Sequence, residues 1–293
     1  MSKGIEVRPS KNFADLVRLF RPKQWVKNVF VFAPLVFSRK FLDEDAVLSA
    51  VTAAALFCLA SSAAYIINDI KDIQRDRRHP IKSKTRPLAA GSISVTAALA
   101  VLAALAGVLI LGSFFEPSVA LVLVGYLSLN VAYTFSLKHQ PVIDIFTISI
   151  GFVLRVYAGA VAVAVQVSGW MLVTTLCLAL YLAAIKRRQE LNNCRLDSRQ
   201  VLEKYSVTLM DRYAEMSATG ALVFYSMFVM SVRPELIATI PLVLFGMFRY
   251  WYVVEKSDSG ESPTDAIFTD WQLQGVVVLW VAACVSVLWS SNS

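Results

Sequence analysis

Apolar runs of about 20 residues recur along the whole chain, and they decide most of what it can become. Nine such runs fall at roughly 26–42, 46–67, 93–113, 118–137, 143–164, 168–186, 212–231, 234–254 and 271–290. A helix of that length crosses a ~30 Å hydrocarbon core. Inside a bilayer only helices and closed barrels satisfy every backbone polar group. Barrel strands would alternate apolar and polar residues with period two, and these runs do not. The expected fold is therefore all-α, a polytopic membrane protein of about nine helices. Pro34 interrupts the first run, whose ends are charged. Composition agrees: 57% of residues are hydrophobic and 17% charged, against roughly half and a quarter in soluble domains.

The net charge of +7 is concentrated. Seven Lys/Arg lie before residue 28, seven in 68–92 and seven in 186–212. With nine spans all three groups share one side, which the positive-inside rule makes cytoplasmic. The expected location is an inner or plasma membrane, crossed many times, with the N-terminus in the cytoplasm. Scattered bases such as Lys3, Arg8, Lys11 and Arg199 serve topology or contact anionic lipid. Nucleic acid is excluded as a partner, since no soluble basic domain presents a groove. The first 27 residues are polar and basic, without the apolar core of a signal peptide. Residues 1–20 read as an interfacial segment in which Phe13, Leu16, Val17, Leu19 and Phe20 mix with basic residues. Cys58, Cys177, Cys194 and Cys284 show no ligand spacing and read as small fillers. The whole chain, 1–293, is read as one transmembrane domain. Loops 68–92 and 187–211 are long, and 255–270 is an acidic linker. Function gathers on long loops held by a rigid scaffold.

Asp69, Asp72 and Asp76, introduced by Asn68, end the second run at i, i+3 and i+7. On a helix these offsets share one face. Three close carboxylates repel unless a cation sits between them, and their oxygens are hard ligands of the kind Mg²⁺ takes. Arg77, His79, Lys82 and Arg86 follow. Pro80 and Pro87 forbid one continuous helix, so this loop can fold back and carry Lys82 and Arg86 to phosphate over the acids. His79 reads as a hydrogen-bond donor rather than a ligand. Lys186, Arg187 and Glu190 end the sixth run, with Lys186 and Glu190 on one helix face. Tyr133, Lys138, Asp144 and Arg155 form a third set. Asp144 and Arg155 are eleven residues apart, ~16 Å of helix rise, too far for a direct bridge. An intramembrane arginine needs a partner or a watery cavity, and a bound anion would serve. Lys23 and Lys27 lie near Trp25, either as interface anchors or as contacts to a lipid-borne phosphate.

Together these residues resemble the UbiA-type intramembrane prenyltransferase superfamily. The likeness runs over roughly 20–290 and rests on Asn68-Asp69-x-x-Asp72-x-x-x-Asp76, with Arg86-Pro87-Leu88 and Gly91. It implies nine helices around a central cavity open to the cytoplasm, with loops after the second and sixth helices forming the active site. A finer resemblance is to the decaprenyl-phosphate phosphoribosyltransferase family, at Arg21–Asn28, at Asp76-Arg-x-His-Pro-x-Lys82 and at Lys186-Arg-x-x-Glu190-Leu191. Aromatic prenyltransferases of the superfamily carry a second aspartate-rich motif where this chain has Lys186, Arg187 and one acid.

That resemblance implies transfer of 5-phosphoribosyl from phosphoribosyl diphosphate (PRPP) to a polyprenyl phosphate, with Mg²⁺ on Asp69, Asp72 and Asp76. It implies Lys82, Arg86, Lys186, Arg187 and Glu190 on the donor, and a homo-oligomer, with a trimer in view. A polyprenyl transferase acting on an aromatic acceptor shares the first motif and is the nearest alternative. A lipid transporter or scaffold is the alternative of another class. The DGxxAR pattern of CDP-alcohol phosphotransferases is absent.

Overall fold

The computed structural model describes residues 13–193, 200–256 and 269–290. Cys194, Arg199, the bases before residue 13 and most of the 255–270 linker lie outside them. The described residues are helical, without a strand. A short helix α1 (Phe13–Phe20) leads into a 3₁₀ stretch (Pro22–Phe32) and α2 (Ala33–Phe37). Then come α3 (Glu44–Arg78), the short α4 (Lys82–Thr85) and α5 (Pro87–Ala90), α6 (Val95–Phe115), α7 (Pro117–Phe135), α8 (Ile143–Ala162) and α9 (Gly169–Asn193). The last are α10 (Val207–Val232), α11 (Ile240–Lys256), entered through a 3₁₀ turn (Pro234–Thr239), and α12 (Trp271–Ser290).

Eight helical stretches among the described residues are long and apolar enough to cross a membrane. They match eight of the nine expected runs. The expected first span, 26–42, is not a regular helix. It is the 3₁₀ stretch and α2, ending in a second 3₁₀ turn at Lys40–Leu42. Pro22 starts this segment and Pro34 stands at the start of α2. It still joins opposite ends of the bundle. Arg21 reaches Asp69 at the end of α3, while Lys40 donates to the carbonyl of Val163 after α8, at 2.9 Å. A 3₁₀ rise of ~2 Å per residue lets few residues cover that distance.

Helix α3 explains how acids follow an apolar run. Its 35 residues run unbroken from the Asp43 cap, whose carboxylate accepts from the N–H groups of Asp45 and Ala46, to Arg78. Half of the expected 68–92 loop is thus helix, and the three aspartates project from rigid backbone. Around α3 one apolar core joins Val31, Ala53, Phe57, Leu109, Val122, Tyr126 and Ala158. A second joins Tyr181, Ala184, Ala214, Ala221, Tyr250, Val253 and Val276 on α9 to α12. Gly159 permits the closest approach in the first: a Cβ there would lie 1.8 Å from the carbonyl oxygen of Val31. Large apolar side chains such as Phe114, Phe115, Leu121 and Phe248 remain outward, as in a helix bundle solvated by lipid.

Candidate functional site

The three aspartates of α3 are almost fully buried, at 3%, 7% and 2% exposure for Asp69, Asp72 and Asp76. Buried carboxylates need partners, and each has cationic ones. Arg86 Nη1 donates to Asp69 Oδ1 at 3.0 Å and, in a shorter contact, to Asp76 Oδ2. One nitrogen thus sits between two carboxylates two helical turns apart. Pro87, whose ring disfavours helical backbone at the preceding residue, starts α5 and leaves Arg86 extended. The fold-back loop follows from that break. Burial and the neighbouring Arg21 charge push the Arg86 pKa down, and the two aspartates oppose them. Arg21 also donates to Asp69 Oδ1 at 2.5 Å. Asp72 faces other cations: Lys138 at 2.8 Å and Arg75 at 2.6 Å. Lys138, itself buried, also reaches Asn68 Oδ1 at 3.3 Å.

A second cluster joins α7, α8 and α9 to the second loop. Asp144, in the first turn of α8, and Arg187 on α9 are both buried and pair at 2.8 Å. Arg187 also holds Glu190 at 2.5 Å and donates to the Tyr133 hydroxyl at 3.2 Å. Tyr205 closes the cluster from the other side. Its hydroxyl donates to Asp144 Oδ1 at 2.7 Å and accepts from the Val142 N–H at 2.5 Å. Burial, then the bond to Asp144, hold the Tyr205 phenol above its ordinary pKa. Val142 has φ 68°, ψ −48°, a strained conformation for a β-branched residue. The two clusters adjoin at the end of α7, where Tyr133 meets Arg187 and Lys138 meets Asp72.

Arg155 lies apart from Asp144, as the helix rise requires. Its Nε donates to Asn28 Oδ1 at 2.7 Å, Nη1 to the Gly151 carbonyl at 2.7 Å and Nη2 to the Tyr126 hydroxyl at 2.9 Å. All three acceptors are neutral. Among the described residues Arg155 has no ion pair.

Not every expected residue joins these clusters. Lys23 and Arg77 are exposed, while Lys27, Lys82 and Lys186 are half-buried. Glu190 pairs with Arg187, three residues away. His79 Nδ1 accepts from the N–H groups of Ile81 and Lys82, which shapes the start of α4. The sequence reading singled out none of Arg21, Arg75, Asn28, Tyr126 and Tyr205. Arg21 and Asn28 carried a faint signal as the two ends of the Arg21–Asn28 motif.

The donor set bears on a metal. Among the described residues no three His, Cys, Asp or Glu side chains converge on one point, so the expected triad is not an all-protein cage. Asp69 and Asp76 do converge, on one cationic nitrogen. Mg²⁺ is commonly held by one or two carboxylates, with substrate phosphates and water completing the shell. The pair Asp69 and Asp76 fits that mode, and Asp72 is directed to Lys138.

The comparisons agree on the family and the fold of this helix bundle. The model of the UbiA prenyltransferase family matches residues 29–273, and the chain belongs to that family: it is a multi-pass membrane enzyme. Among curated relatives, decaprenyl-phosphate phosphoribosyltransferase of Mycobacterium tuberculosis is 34% identical over 296 residues, covering 96% of this chain and 97% of that protein. Its namesake from Corynebacterium glutamicum is 33% identical over 295 residues, covering 95% and 88%. A UbiA homolog from Archaeoglobus fulgidus, solved with GPP and Mg²⁺, superposes with a TM-score of 0.71 at 20% identity, over 94% of this chain and 99% of that one. At that identity the likeness carries the fold alone.

Proposed function

We propose that this enzyme transfers the 5-phosphoribosyl group of PRPP to a polyprenyl phosphate and releases diphosphate, with Mg²⁺ as cofactor. The names of its relatives support this, and one structural observation carries it. The second cluster is centred on a buried arginine, Arg187, rather than on a second set of acids. Around the two clusters and Arg155 stand five acids, Asp69, Asp72, Asp76, Asp144 and Glu190. Five cations pair with them, Arg21, Arg75, Arg86, Lys138 and Arg187, and Lys27 and Arg155 add two more that make no ion pair among the described residues. A site with surplus positive charge suits two phosphorylated reactants.

Asp69 and Asp76 would hold Mg²⁺, with Arg86 moving from the carboxylates to a phosphate oxygen. Bound there, the ion would draw charge from the departing diphosphate. Arg21, Arg86 and Lys138 would stabilise the rest of that charge where water is scarce. Lys82 and Lys186 extend the same cationic rim. Asp144 and Tyr205 orient Arg187, and Glu190 with Tyr133 fixes its remaining nitrogens. The carbon losing diphosphate gains oxocarbenium character, as in other glycosyl transfers. The acceptor phosphate is already an anion, so no strong base is required. The positive-inside rule, applied to the basic clusters, supports a cytoplasmic side for this chemistry.

Purified enzyme given PRPP, farnesyl phosphate and Mg²⁺ should release diphosphate and form a phosphoribosylated lipid. It should be inert with a prenyl diphosphate and an aromatic acid. Turnover of the second pair and not the first would overturn the assignment.

A further inference from the structure

One group of side chains lies below the acids and outside both clusters. Tyr65 stands on α3 one turn before Asp69, on the same face. Its hydroxyl makes no hydrogen bond among the described residues. Lys27, on the facing 3₁₀ stretch, makes no hydrogen bond or ion pair among them either. The threefold 3₁₀ spacing sets it on the face shared by Arg21, 5.0 Å from the Tyr65 ring centre, and Phe30, whose ring packs at 5.2 Å on Phe152, three residues before Arg155. Asn28, the next residue, ties Arg155 to α3. It accepts from Arg155 and donates to Cys58 Sγ at 3.1 Å and Ser61 Oγ at 3.5 Å. Ser61 precedes Asp69 by eight residues, so Arg155 sits ~12 Å further along α3 from the acids. The molecule therefore has two tiers, acids at the rim and uncompensated cations beneath.

A buried guanidinium with only neutral acceptors is costly. A second cation beside it adds repulsion. Both costs fall if an anion sits between them, and the Tyr65 hydroxyl stands nearby as a further donor. We propose that Lys27, Arg155 and Tyr65 form a seat for a phosphate monoester beneath the acid tier. The inference rests on the reading above for the identity of its occupant. Two reactants carry such a group: the lipid acceptor and the 5-position of PRPP. The acid tier takes the diphosphate, so the lower seat takes one of these.

Lys27 is the clean probe, because it holds nothing else together. Binding to the full chain in nanodiscs would be measured for farnesyl phosphate, farnesol and PRPP with Mg²⁺, without turnover. Lys27→Met should weaken one phosphate ligand about 10- to 100-fold, the loss expected for a charge-assisted hydrogen bond. Lys27→Arg should restore most of it, and farnesol should bind as before. A loss confined to farnesyl phosphate identifies the lipid phosphate as the occupant, and a loss confined to PRPP identifies the 5-phosphate. Unchanged affinity for both, or an equal loss for farnesol, overturns the seat. Because no reaction is monitored, the seat can stand even if phosphoribosyl transfer fails its own test.

Discussion

Arg86 holds two aspartates through one nitrogen, whereas Asp72 belongs to Lys138, so substitutions at the three acids should differ in kind. Asp69→Asn should lower kcat/KM about 10²- to 10³-fold, the scale of losing one electrostatic stabiliser, with near-normal folding, since Arg86 keeps Asp76. Asp72→Ala leaves Lys138 buried without its carboxylate, which costs about 3–5 kcal/mol. Its turnover should vanish and its melting temperature fall together. The double variant Asp72→Ala/Lys138→Met should regain the melting temperature and remain inactive. Recovery of turnover in that protein would refute a reactive role for the pair. Tyr205→Phe deletes the hydrogen bonds to Asp144 and Val142. It should cost about 1 kcal/mol or slightly more and slow turnover, as measured by thermal unfolding and steady-state rates. The acids, Arg86, Lys138, Asp144 and Arg187 were legible in the sequence because spacing and depth mark them. Arg21 and Tyr205 were not. Their partners lie 48 and 61 residues away, and no local pattern records a contact across that separation.

Among the elements, α3 and the 3₁₀ segment before it matter most. The apolar runs fixed eight of the spans because hydropathy depends only on local composition. The first run, 26–42, also reads as a span, but it is not a regular helix. Pro22 and Pro34 and a 3₁₀ rise make it unlike a standard span, and its packing on α8 depends on one glycine that no pattern marks. Gly159→Val would drive a branched side chain into the Val31 carbonyl. It should destabilise by well over 2 kcal/mol, as overpacking of a tight contact does. A melting temperature within a degree of the parent protein would show that the segment packs elsewhere. The loop after α3 was legible in outline. Pro80 and Pro87 require a fold-back, yet the choice of Arg86 over Arg77 as the inward residue follows from helix phase and the Pro87 break.

For the whole molecule, the proposal that the site end faces the cytoplasm rests on the distribution of bases and the positive-inside rule. Cysteine placed at exposed Arg77 should be labelled by a membrane-impermeant maleimide only in inverted vesicles; labelling from outside intact cells would reverse the orientation. The native cysteines would be replaced first. The central claim is that two acids of α3 trade a protein cation for Mg²⁺ when the donor binds. A structure with PRPP and Mn²⁺, read by the metal's anomalous signal, tests it most directly. The account predicts the metal on Asp69 and Asp76, with Arg86 turned to a phosphate. Arg86 still bridging both carboxylates, with metal and diphosphate bound elsewhere, would contradict it.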